Sequence, residues 1–87
     1  MPTGLERRLL EVLQARGICT LRRAGYHAIL SRRDVVRAAR GLQAEGLLEA
    51  EDNGRLIPIS SGSSDAILLR LTAAALAPAE PETEGEA

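Results

Sequence analysis

Thr20-Leu21-Arg22-Arg23-Ala24-Gly25-Tyr26-His27-Ala28-Ile29-Leu30-Ser31-Arg32-Arg33-Asp34-Val35-Val36-Arg37-Ala38-Ala39-Arg40-Gly41-Leu42-Gln43-Ala44-Glu45-Gly46-Leu47-Leu48 decides how this chain folds. Thr20 is placed to cap a helix over about 20–28, with Leu21, Ala24 and Ala28 turned inward. Ser31-Arg32-Arg33-Asp34 has capping-box spacing and opens a further helix over 31–45. Its inward stripe is Val35, Ala38, Ala39 and Leu42, and Gly46 ends it. Gly41 within it is about 1 kcal/mol poorer than Ala as a helix former and allows close packing.

Upstream, Thr3-Gly4-Leu5-Glu6 is another capping box, followed by Leu5, Leu9, Val12 and Leu13 on one stripe. A first helix over about 4–15 follows, stopped near Gly17. Residues 17–20 form a brief strand or lead straight into the next helix. Downstream, Leu47–Glu51 and Arg55–Ile59 flank Asp52-Asn53-Gly54, the turn chemistry of a β-hairpin. Pro58 makes its strand an edge, or sits where no ladder bond is needed. Ser60–Ser64 reads as a flexible loop. Residues 65–77 are Ala- and Leu-rich and read as a helix with Ile67, Leu68, Leu71, Ala75 and Leu76 inward. The alternative there is a strand at about 66–71, pairing with 47–51 around a long wing. Residues 78–87 carry Glu80, Glu82, Glu84 and Glu86 and read as a disordered acidic tail after a domain over 1–77.

The order helix, short strand, helix, tight turn, helix, hairpin resembles the winged helix-turn-helix family. The likeness is to the small DNA-binding domains of repressors and covers about residues 4–60. Ala24-Gly25, Leu30, Ser31, Val35 and Leu42 to Leu48 occupy the family's characteristic places. One position departs: the turn has Ile29 where the family usually has Gly. The resemblance implies a mainly α fold with a small β-hairpin: a three-helix core, a wing and a C-terminal helix. It also implies that helix 31–45 lies in the major groove of duplex DNA. Winged helices also serve as protein-docking modules, so fold alone does not fix function.

Charge supports the nucleic-acid reading. The net charge of −1 hides an asymmetry, because residues 16–40 hold seven arginines against Asp34 alone, while residues 41–87 carry a net −7. Clustered arginines inside a folded segment are the footprint of a phosphate-binding surface. With the inward stripe as above, Arg32, Arg33, Val36, Arg37 and Arg40 face outward. An arginine fork fits guanine O6 and N7, and fits phosphate equally well. Val36 is placed to touch a thymine methyl, and Ser31 to cap at the groove. Arg22 and Arg23 begin a helix, where cations oppose the dipole; phosphate contacts would account for them. Arg55 follows the hairpin turn and is placed to enter a minor groove. Tyr26 either donates to a phosphate or packs over the helix corner, the latter being preferred. His27 reads as a half-exposed helix residue, and Cys19 as a small buried one.

Other classes fit poorly. With 87 residues, one Tyr and no Phe or Trp, the chain supports one small domain with an aliphatic core. One Cys and one His cannot build a four-ligand zinc site or a disulfide. A lone Cys fits a reducing cytoplasm. No apolar run is long enough for a membrane span. No Gly-rich phosphate loop or nucleophile–base pair suggests an enzyme, and no cofactor is implied. The expectation is therefore a sequence-specific binder of double-stranded DNA, a transcriptional regulator, forming a homodimer through 65–77. The alternatives are a protein-interaction module and a nonspecific architectural DNA binder.

Overall fold

A computed structural model describes residues 3–76, so the expected tail over 78–87 lies outside the described residues. The chain runs α1 (Gly4–Arg16), β1 (Cys19–Thr20), α2 (Leu21–Ala28), α3 (Arg32–Ala44), β2 (Leu48–Asp52), β3 (Arg55–Ile57), β4 (Leu68–Leu71) and α4 (Ala73–Leu76). The described residues form a mixed α/β domain with four helices and one antiparallel four-stranded sheet, ordered β1-β4-β2-β3. The sheet is larger than the small hairpin the sequence suggested.

The helix starts are set by side-chain caps. Thr3 and Glu6 form the full reciprocal box: the Glu6 amide donates to Thr3 Oγ1 at 3.2 Å, and the Thr3 amide to Glu6 Oε1 at 3.1 Å. Thr20 Oγ1 accepts from the Arg23 amide, and Ser31 Oγ from the Asp34 amide, both at 3.1 Å. Glu6 is buried because α3 crosses it at Gly41, where an added Cβ would fall on its carboxylate. Gly41 thus permits close packing, as its position in the helix suggested. Gly25 does the same for the α2–α3 crossing, since a Cβ there would sit 3.2 Å from Val35 Cγ1. One aliphatic core follows, with Leu9, Leu13, Leu21, Leu42, Leu48, Ile67 and Leu69 essentially inaccessible.

The expected helix over 65–77 is not formed. Its central residues are strand β4, which pairs with Cys19–Thr20 on one side and with 48–51 on the other. Only Ala73–Leu76 is helical. The alternative reading, a strand pairing with 47–51, describes the structure, and that strand also pairs with β1. The physical reason is hydrogen bonding. A two-residue β1 and one edge of β2 both need a ladder partner, and β4 supplies it. Burial alternates accordingly: Ile67 and Leu69 point into the core, Leu68 and Arg70 away from it. Outside, Arg70 donates to Glu49 at 3.1 Å and to Glu51 at 2.8 Å, tying β4 to β2.

The hairpin forms as read. Asn53 (φ 54°) and Gly54 (φ 82°) both take the left-handed conformation that a tight two-residue turn requires. Strand β3 is an edge and ends before Pro58.

Candidate nucleic-acid interface

Residues 58–67 join β3 to β4 and run along α3. At its first part, the Gln43 side chain donates to Ile57 O at 2.8 Å and accepts from the Ile59 amide at 2.9 Å. That amide completes the hydrogen bonds of a backbone that has left the ladder. Farther on, Arg32 spends its whole guanidinium on the segment: Nε on Asp65 Oδ1 at 2.8 Å, Nη1 on Ser61 O at 3.0 Å, and Nη2 on Ser63 O. The Leu21 and Arg22 amides then donate to Ile67 O and Asp65 O. Ser60–Ser64 is therefore anchored at both ends, not the free loop its composition suggested.

This path corrects one expected contact residue and gives another, exposed as expected, a structural partner. Val36 is 5% exposed and belongs to the same core cluster as Ile59, so it does not face outward as expected. Helical periodicity placed it off the main stripe; the wing segment covers that edge. Arg32 stays near the surface, but its donors are committed to the wing, so it acts as a strut and not as a free cation. Replacing Arg32 with Ala should lower global stability by only about 0–1 kcal/mol, the usual worth of an exposed ion pair. The same change should speed proteolysis within 60–65 several-fold. Equal cleavage rates would show that Arg32 does not hold the loop.

The remaining residues fall into three places. Arg33, Arg37 and Arg40 are exposed at spacings of four and three along α3, hence on one stripe. They line a hollow of about 450 Å³ between α3 and Ser61. Among the described residues, none of the three has a carboxylate partner. Ser31 is exposed and caps the same helix. Arg22 and Arg23 are exposed on the first turn of α2, bordering a hollow with Thr20 and Tyr26. No acidic residue offsets them in that turn. Arg55 is exposed on β3, opposite Asp52 in the hairpin register.

No protein-family model, curated protein or solved structure matches this chain. Among the described residues, no helix is long and apolar enough to cross a membrane, and no group of three His, Cys, Asp or Glu could hold a metal ion.

Two supporting residues escaped the sequence reading. Gln43 is one; its signal was a polar residue seven positions after Val36, on the same helix edge. Arg8 is the other. Its Nη2 donates to Ala28 O at 2.7 Å and Ile29 O at 3.1 Å, satisfying the carbonyl end of α2 from α1. Nothing local to Arg8 signals that use. Tyr26 is 78% exposed and does not pack over the corner as preferred from sequence. His27 is half-buried, with its Nε2 unpartnered. Burial, then the charges of Arg16 and Arg23, lower the pKa of its imidazole. Cys19 is buried, as expected.

Proposed function

We propose that this chain is a winged helix-turn-helix domain that binds double-stranded DNA with sequence preference and acts in transcription regulation. The topology supports the fold reading. Two helices joined by three residues, 29–31, lie in the chain between β1 and β2, β4 joins those strands into one ladder, and a long segment between β2 and β4 flanks α3. The hairpin strand β3 is an elaboration of that wing.

The observation that carries the functional reading is the stripe of Arg33, Arg37 and Arg40, free of acidic partners among the described residues and bordered by the β3–β4 segment. A helix of this kind fits the major groove, and its forks suit guanine edges or phosphates. Arg22 and Arg23 supply a second cationic contact on α2. Scarcity of aromatics argues against single strands, whose binders stack bases on aromatic rings. The proposal includes a homodimer using the exposed Leu68 and Leu76, which are what residues 65–76 leave at the surface. Sedimentation at tens of micromolar should show a dimer that Leu68→Glu dissociates; a wild-type monomer would remove this part.

Selection from a pool of randomised duplexes tests the main reading. Convergence on a sequence, with a gel shift that survives bulk competitor, is the expected result. A shift lost to any competitor would leave a nonspecific binder, and no shift at all would leave a protein-docking module.

A further inference from the structure

Helix α2 ends in a pair of backbone bonds, Leu30 N–H to Gly25 O at 2.9 Å and Ile29 N–H to Tyr26 O at 3.2 Å. This closure needs a left-handed residue after the last helical one. Ile29 fills that position with φ 57° and ψ 50°. A β-branched residue is strained there and Gly is not. Elsewhere among the described residues the chain uses Gly17, Gly46, Gly54 and Asn53 at positive φ. Burial does not compensate the strain, because Ile29 is 81% exposed. One turn earlier, Tyr26, the chain's single aromatic, is 78% exposed. An unburied apolar residue in a strained conformation is what a binding contact would require and what folding does not explain.

The surroundings say what it meets. Tyr26 and Ile29 border an open hollow of about 680 Å³ that also includes Ser31, the cap of α3. Tyr26 also borders the hollow that holds Arg22 and Arg23. The apolar ridge therefore adjoins the α2 arginines at Tyr26 and the start of α3 at Ser31, while on its far side Ile29 borders a hollow with Arg8, Glu11 and Arg16 of α1. Arg8, bonded to the Ala28 and Ile29 carbonyls, holds the corner in place before anything binds. We infer that Tyr26 and Ile29 form an apolar part of the DNA interface, resting on the deoxyribose edge of the strand whose phosphates Arg22 and Arg23 neutralise. The inference rests on the duplex-DNA reading above; continuity with that basic surface is what selects DNA as the occupant. The contact is nonionic, so it adds affinity without adding to the salt dependence.

Ile29→Asn and Ile29→Gly, with Ile29→Val as the conservative control, test it on the duplex that the wild type selects. Asn and Gly relieve the strained backbone, so Tm should stay level or rise. Affinity should nevertheless fall roughly ten-fold, the effect of losing one partly buried aliphatic contact. The log–log salt slope should not change, and Ile29→Val should keep most of the affinity. Tyr26→Ala should also weaken binding at constant slope. Unchanged affinity in a folded Ile29→Asn protein overturns the inference and leaves the DNA reading standing. A flattened slope overturns it too, because the substitution would then act through the neighbouring arginines and their phosphate contacts. If the wild type binds no duplex, both the inference and the reading beneath it fall.

Discussion

Leu69→Ala is expected to remove about 2–5 kcal/mol of folding stability, and Leu68→Ala less than about 1. Leu69 is fully buried and sits between two ladders, opposite Cys19 on β1 and Ala50 on β2. Truncating it opens a cavity where α1, α2 and the sheet meet. Against the roughly 5–15 kcal/mol that holds a whole domain, such a loss leaves a small one close to unfolding at physiological temperature. Leu68 faces the other way and is 39% exposed. The pair discriminates sharply, because a helix over 65–77 turns Leu68 inward and Leu69 outward. Chemical denaturation of both variants reads the difference directly. A larger loss at position 68 would restore the helix and dismantle the β1-β4-β2 ladder.

The second large effect concerns binding. Arg33→Ala and Arg37→Ala should each weaken binding to the preferred duplex by about 1–3 kcal/mol, if each fork meets a guanine edge. That is roughly five- to 150-fold per residue. Both side chains are exposed and free of ion pairs among the described residues, so Tm should hardly move. Arg22→Ala and Arg23→Ala should behave differently. Contacts to phosphate carry no sequence information, so these changes should weaken all duplexes alike and lower the salt slope by about 0.9 each. Titrations of one preferred and one scrambled duplex separate the two behaviours. Equal losses on both duplexes for Arg33→Ala and Arg37→Ala would assign these two arginines to the backbone instead.

The helices and their caps were legible because their information is local. Thr3, Thr20 and Ser31 each sit three residues before the amide they cap, and the apolar stripes of α1 and α3 repeat at helical spacing. The Asn53-Gly54 turn was legible for the same reason. Strand β4 was not. Ile67-Leu68-Leu69-Arg70-Leu71 has few β-branched residues and suits a helix taken alone; its state is set by partners about 20 and 50 residues away. The site shows the same division. The exposure of Arg33, Arg37 and Arg40 followed from the stripe opposite them. Val36 and Arg32 did not, since what covers the one and engages the other is a wing that returns along α3 from residues 57–65. Periodicity says which side of a helix is apolar, but not how far a distant loop will extend that cover.

The salt dependence of duplex binding tests the central claim most directly. Fluorescence anisotropy of the selected duplex, titrated with the full chain between about 50 and 200 mM salt, gives the slope of log affinity against log salt. If Arg22, Arg23 and Arg40 together neutralise three phosphates, the slope should be roughly −2.7 or steeper. A flat response, or no binding at the lowest salt, would contradict the account.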